Sequence, residues 1–462
     1  MVSRAGHYVS EERHRRTNSP FGVWCGLLSF CTRATRQPVF YVICAFLIGS
    51  FAFLRSTVLV TQLDTIHPST SKTAKLSVKG VPPMYAVASL AFSRLPNQIA
   101  VEKAVQFILR LQPEGTYILT SAHSDDVVHM DVAHSVIALT KVGHVREAKR
   151  AMNWLLGEMT DSNSPERFGT VNVDGKQQTV DYAGSWWDHL RPNGEPRRNL
   201  TRGRGEGVGI ALIAIYTIFQ EDPAYLHQLI NGTPVIDRIA LAVKYLTSPA
   251  VQRDDGGFNH RPDYRVSFNE EGARMVLGLR LASDMLRTAG DGDNANLAAE
   301  RAEKGLAALR KGDNINQGMA FDYYALSIWG LASDEQAREE FGNLRRAQLL
   351  SLDGVRNWDW QLNTAQSFWN RLRWWAISQS IAPAQTFDWA IANVTVGNLD
   401  EARRIEQRWL PLQLPDGGFS GVYLPGLQIG LGDPTSYSAA RFILLERLLA
   451  EAEAMQRSVV TH

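Results

Sequence analysis

Acidic residues recur in short polar stretches that each run into an apolar one. They are Asp125 and Asp126 in HSDDVVHMD, Glu206 in GRGEGVG, Glu270 and Glu271 in SFNEEGARM, Asp322 in MAFDYYAL, Asp388 in TFDWAIAN and Asp433 in GDPTSYS. Cleavage of a glycosidic bond needs two carboxyl groups, one protonated as general acid and one ionised as base or nucleophile. Acids crowded into a partly dry cleft push one another's pKa values apart and so create both states. Glu206 and Asp322 are the favoured pair, with Asp126 and Asp388 as second choices. Glycines around Glu206 would let a ligand approach the backbone. Arg202 and Arg204 beside it could meet an anionic or hydroxyl-rich substrate. Tyr323 and Tyr324 follow Asp322, and Trp389 follows Asp388; each offers an aromatic face. The same acids also have a plain structural use, because Asp and Glu at a helix N-terminus are favoured by ~0.3–1 kcal/mol. The arginines equally suit salt bridges between helices.

A second group of candidates lies in the long insertion 160–203, in DYAGSWWDHLRPNGEPRRN. Two adjacent tryptophans in a polar loop suggest substrate platforms at Trp186 and Trp187, with Asp188, His189 and Arg191 beside them. Packing of the loop onto a scaffold explains one of the tryptophans equally well. The cluster 357–375, with its helical spacing, suits a buried stripe better than a binding wall. His123, Asp125, His129 and His134 lie close in sequence, but Asp125 and His129 share a helical face without a clear third ligand, so no metal is expected. The chain has no dinucleotide fingerprint, P-loop or nucleophile elbow, and no cofactor is expected.

The 462 residues carry a net charge of +1, which gives no electrostatic case for nucleic acid as partner. All three cysteines, Cys25, Cys31 and Cys44, lie near the N-terminus, so the rest has no disulfide and no thiolate chemistry. Cys25 and Cys31 are candidates for palmitoylation. Residues 38–54 are uncharged and apolar, and arginines precede them. This predicts a basic cytoplasmic tail at 1–37, a transmembrane signal-anchor at 38–60 and a flexible stalk at 61–80. A cleaved signal peptide fits less well, because the preceding region is long and no clean cleavage site follows. The expected localisation is single-pass type II, with the folded part at 81–455 lumenal or extracellular and a short tail at 456–462. Asn199, Asn231 and Asn393 head sequons that suit that address.

Beyond residue 80 two kinds of helix alternate. GVGIALIAIYTIF (207–219) is apolar nearly all round and must be buried on every side. PVIDRIALAVKYL (234–246) is amphipathic, with Ile236, Ile239, Ala240 and Val243 on one face. Pairs of this sort are expected at about 83–112, 125–159, 204–247, 267–311, 319–351 and 384–413, and a last apolar helix at 434–452 closes on the first pair. Between partners, VGHVREAKR resembles VGNLDEARR, with Gly143 and Gly397 matched and GLASDEQAREEF a looser copy. Between pairs, QRDDGGF at 252–258 and QLPDGGF at 413–419 repeat one phrase, and SLDGVRNW is a degenerate copy. Glycines there allow a tight reversal and the phenylalanine wedges between hairpins, so the phrase reads as a joint that the architecture repeats.

This alternation, with its x-G-x-x-x-E-A-(K/R)-R connections, resembles the six-hairpin, (α/α)6-toroid glycosidase superfamily over residues 83–452. The resemblance implies an all-α toroid whose inner-helix N-termini gather the acids at one mouth. It implies a membrane-anchored, glycoside hydrolase-like enzyme acting on a glycan or glycoconjugate, or a polysaccharide lyase or epimerase of the same fold. Two other readings remain open: a class II terpene-cyclase-like or prenyl-substrate toroid enzyme, and a non-catalytic glycan-binding toroid. The acids of SDDVVHMD lack the D-x-D-D spacing that a cyclase needs.

Overall fold

Among the described residues six apolar helices form a closed inner ring, and six amphipathic ones cover it. The computed structural model describes Tyr85, Leu95 and residues 97–460, apart from 174–175, 198–201, 265–267, 312–319, 347–349, 352, 357–379 and 426–427. The inner helices are α2 (His129–Lys141), α4 (Gly205–Glu221), α6 (Asn269–Thr288), α8 (Ala325–Ile328), α10 (Pro383–Thr395) and α12 (Ser436–Val460). The outer ones are α1 (Gln98–Arg110), α3 (Val145–Gly157), α5 (Val235–Leu246), α7 (Gly292–Arg310), α9 (Asp334–Arg346) and α11 (Leu399–Trp409). Each inner helix packs on the next, and α12 packs on α2, which closes the circle. Each hairpin is an inner helix and the outer helix after it; the sixth pairs α12 with α1 across the chain ends.

Composition decides which helix goes where. In α4, residues Gly205 to Ile215 are buried without a break, as the neighbours on every side require. In α3 only Ala148, Ala151, Met152, Leu155 and Leu156 are buried, one face of the helix. The turns inside hairpins use glycine as expected. Gly143, Gly330 and Gly397 have φ of +87°, +66° and +80°, and acidic first turns follow in α3, α9 and α11.

The repeated phrase is a joint between outer helices. Gln252 Nε2 donates to the carbonyls of Gly256 and Arg301, at 3.2 and 2.9 Å. Gln413 Nε2 donates to those of Gly417 and Ala100, at 3.0 and 2.9 Å. Asp255 and Asp416 each accept from the N–H two residues on, and Phe258 and Phe419 are fully buried. Gly256 lies against α7 and Gly417 against α1, so each copy fastens one hairpin to the next. A further copy carries different letters: Gln112 Nε2 donates to the carbonyls of Thr116 and of Glu147 in α3.

The helical toroid is as expected, and among the described residues its connections carry five short antiparallel strand pairs, among them β1 (Val127–Val128) with β4 (His189–Leu190) and β2 (Phe168–Val173) with β3 (Lys176–Asp181). The expected transmembrane helix is corrected: among the described residues no helix is long and apolar enough to cross a membrane. The single-pass type II localisation, with a lumenal or extracellular toroid, loses its basis with it. The tail 1–37, the anchor 38–60, the stalk 61–80, the cysteines and most of the first apolar stretch at 83–97 lie outside the described residues. At the other end α12 continues through 456–460, where a tail was expected.

Candidate active site

Five of the inner helices, all but α8, contribute lining residues from at or near their N-terminal ends to one cavity of about 560 Å³. Asp131 and His134 come from α2, Arg204 and Glu206 from the start of α4, Glu270, Glu271 and Arg274 from α6, Asp388 from α10 and Tyr437 from α12. The segment after the first joint, carrying His260, Arg261, Tyr264 and Phe268, forms another wall.

Two guanidiniums organise the acids. Arg204 pairs with Glu206 and reaches Glu271 at 3.3 Å. Arg274 meets Glu206 Oε2 at 3.3 Å and pairs with Glu270 one turn away. His260 Nδ1 lies 2.7 Å from Glu271 Oε2. On the far side Arg441 Nε lies 2.6 Å from Asp388 Oδ1, and the Tyr437 hydroxyl donates to Asp388 Oδ2 at 3.0 Å. The Glu270 N–H donates to Asp322 Oδ1 at 3.2 Å, so Asp322 caps α6 from the neighbouring hairpin.

These surroundings split the protonation states. Burial alone would raise Glu206, but Arg204 and Arg274 outweigh it and hold the carboxyl below its usual range. Burial raises Glu270 to about 7 against the pull of Arg274. It raises Asp131 to about 7 against a hydrogen bond from Thr120. Burial, with the charge of Glu206 added, sends Glu271 well up. Asp322 is likewise raised by burial, against the Glu270 N–H. Burial keeps His129 and His260 neutral, each lowered to about 4. The cavity therefore sets an ionised Glu206 beside Glu270, Glu271 and Asp131, all three raised above the usual carboxyl range.

No protein-family model matches the chain, and no curated protein matches it. Solved structures do. A glycosidase variant superposes with a TM-score of 0.56 at 14% identity, over 78% of this chain and 98% of its own. A glycosidase variant in complex with glucose gives 0.55 at 14%, over 78% and 98%. A glucoamylase from Saccharomycopsis fibuligera gives 0.51 at 13%, over 77% and 95%. The chain has the six-hairpin toroid fold of glycosidases. At such identity the likeness reaches the fold and stops short of the chemistry.

Within the toroid the expected residues separate. Glu206, Arg204 and Asp388 line the cavity together. Asp322 is buried beneath Glu270 and is not part of the lining. Asp126 turns to the insertion, where His189 Nδ1 approaches Oδ2 at 2.8 Å and Arg197 Nε approaches Oδ1 at 3.1 Å. Trp186 lies outside the cavity lining, packed in the core, and its Nε1 donates to the Leu155 carbonyl at 2.7 Å, so it presents no face to the cavity. It occupies the wedge position of a joint: Gly184, at φ +92°, lies against α5 as Gly256 lies against α7. Trp187 lies outside the cavity lining, bonded to Glu166 and covered by the Arg202 guanidinium. Asp188 is buried, and its carbonyl accepts from His129 Nδ1. Arg191 faces Glu195. Trp389 is core, packed on Phe341 and Tyr324, and Tyr323 packs against the core from outside.

The glycines around Glu206 serve helix packing, not ligand approach. A Cβ on Gly207 would fall 1.5 Å from His129 Nε2, and one on Gly278 would fall 2.6 Å from the Gly209 carbonyl of α4. Of the sequons, Asn199 lies outside the described residues. Asn231 is exposed in the turn between β5 (Leu229–Ile230) and β6 (Thr233–Pro234). Asn393 is fully buried and bonded to the Trp389 carbonyl and to Asn398, so in the folded chain it cannot take a glycan.

Sequence reasoning passed over Asp131, His260 and Arg274. Asp131 was hidden because α2 begins at His129, after the β1 pairing, and not at Asp125. His260 had a visible signal. The two phrase copies diverge just after phenylalanine, into Asn-His-Arg in one and Ser-Gly-Val in the other. Ligand atoms of Glu206, His260 and Glu271 lie within 4.8 Å of one another. A cation there would face Arg204 and Arg274, so the cluster suits hydrogen bonding better than a metal.

Proposed function

We propose that this protein is a carbohydrate-active, glycoside hydrolase-like enzyme that cleaves a glycosidic bond in the inner-ring cavity. One observation carries the reading: two cavity carboxyls on neighbouring inner helices, Glu206 and Asp131, are held in opposite protonation states. Asp131 is half-buried, faces the cavity and has no ion-pair partner among the described residues. It delivers its proton to the departing glycosidic oxygen. Glu206 supplies the ionised carboxylate, at the anomeric carbon or through a water. Arg274 fills the space between Glu206 and Glu270, which makes that pair unsuited to flank a bond. In this reading Asp322 positions Glu270, and Asp388 secures α10 to α12 through Arg441 and Tyr437. Asp126 holds the insertion. The fold of solved glycosidases supports the same class. A polyene cyclase is disfavoured by the charged lining, since its cavity would be walled by aromatic side chains.

The test is turnover by the purified full chain on a panel of oligosaccharides and aryl glycosides. Glu206→Gln and Asp131→Asn should each lower kcat/KM by ~10²–10⁴-fold while the protein stays folded. Asp322→Asn should cost less and act through stability. Full activity in both first variants would remove the assignment. Sugar binding without turnover in the wild type would mark a binding toroid instead.

A further inference from the structure

We propose that His134 reads the substrate, and that what it reads is an uncharged sugar unit; this rests on the glycosidase reading above. His134 lies on α2, one turn beyond Asp131, in the wall of the same cavity. Its residue is 1% exposed, yet among the described residues neither Nδ1 nor Nε2 has a hydrogen-bond partner. Folded proteins rarely leave a buried polar side chain in that state unless something else completes it. The other two imidazoles near the cavity are engaged. His129 Nδ1 contacts the Asp188 carbonyl and His260 Nδ1 contacts Glu271.

The ring is fixed as well as unpartnered. Its centroid lies 4.7 Å from that of Tyr437 and 6.4 Å from that of Trp329. Burial drives its pKa well below the usual 6.5, and Arg441 and Arg274 add to the shift. A neutral imidazole offers one N–H donor and one bare nitrogen acceptor. Sugar hydroxyls both donate and accept, so they match either nitrogen.

The charges around His134 select among sugars. Among the described residues each guanidinium in the cavity wall is already engaged by carboxyl groups: Arg204 by Glu206 and Glu271, Arg274 by Glu206 and Glu270, and Arg261 by Asp263. A uronate would have to displace one of these carboxyls to reach a guanidinium and would meet the ionised Glu206. An amino sugar would bring a cation to a wall that already carries these arginines. An uncharged ring meets neither obstacle and uses what His134 leaves open.

Binding of methyl glycosides of glucose, mannose, galactose and xylose, of methyl glucuronoside and of glucosamine to the full-length protein tests this. Histidine ring ¹⁵N resonances are followed alongside. At least one uncharged glycoside should bind more tightly than the charged sugars and should shift the His134 nitrogens. His134→Leu should weaken that glycoside by about tenfold or more. His134→Gln, which keeps a donor and an acceptor, should recover most of the loss. A tighter fit for the uronate or the amino sugar overturns the proposal. So does an unshifted His134 ring at saturation, a readout that stands even if His134→Leu fails to fold. If no sugar binds and none is cleaved, the glycosidase reading falls first and this one with it. Cleavage without any dependence on His134 sinks this inference alone.

Discussion

His260 Nδ1 stands 2.7 Å from Glu271 Oε2, within reach of one shared proton. Burial, with Arg204 adding to it, lowers the imidazole to about 4, while burial and the charge of Glu206 push Glu271 well up. The pair is therefore a neutral acid donating to a neutral ring. The expected outcome is that the His260 resonances do not titrate between pH 5 and 8 in a histidine NMR titration. A midpoint near 6.5 or above would mean a charged pair and a different charge balance in the cavity.

The pH dependence of turnover follows from the two carboxyls assigned to chemistry. Asp131 acts in its protonated form, so activity is lost as pH rises through about 7. Glu206 acts in its ionised form, and Arg204 and Arg274 depress its pKa, so the acid limb lies below the usual carboxylate range. A kcat/KM profile on the wild type should fall above neutrality. In Asp131→Asn the residual activity should lose that alkaline limb. A limb unchanged in the variant would assign the proton to another group, with Glu270 the first to try.

The circle of hairpins was legible because its signals are local. All-round apolar helices, glycine-ended turns and a repeated joint each state one part of the geometry, and Gln252 and Gln413 make corresponding bonds in their copies. The joint at Trp186 was not legible, since it keeps the glycine and the aromatic wedge but lacks the Asp-Gly-Gly letters. An exposed-looking tryptophan pair therefore read as a sugar platform. The ring of acids was legible in part: Glu206, Glu270, Glu271 and Asp388 line the cavity, and Asp125, Asp126, Asp322 and Asp433 do not. Which acids face the hollow depends on where each helix starts within a turn, and the β1–β4 pairing moved that point in α2 past Asp126. Asn393 misled for a similar reason: a sequon records three residues and nothing of the helix that buries them.

A second buried acid, away from the cavity, makes stability depend on pH. Glu446 on α12 is fully buried, shares Asn97 with Glu406 and is raised to about 8, first by burial and then by the charge of Glu406. Its folded pKa lies above the unfolded value of about 4.5, so the folded state holds the proton through that window. The contribution is complete below the unfolded value and is lost as pH rises through the folded one. The melting temperature should fall between about pH 4.5 and 8, by an amount on the order of a few kcal/mol of stability. Glu446→Gln, neutral at every pH, should flatten that fall. Parallel curves for the two proteins would place the titration elsewhere.

The joint can be tested against an ordinary left-handed turn. Gly143 and Gly417 have nearly the same backbone, with φ of +87° and +92°. A Cβ on Gly143 meets nothing within 4 Å, whereas one on Gly417 falls 2.0 Å from the Lys103 carbonyl of α1. Gly143→Ala should therefore cost only the dihedral, about 1–2 kcal/mol. Gly417→Ala should cost that and also force the joint off α1, where the ring closes, for a total above ~3 kcal/mol. Denaturant midpoints of the two variants decide it. Equal losses would mean that Gly417 is needed only for its turn, and the repeated phrase would then be a turn signal and not the fastening between hairpins.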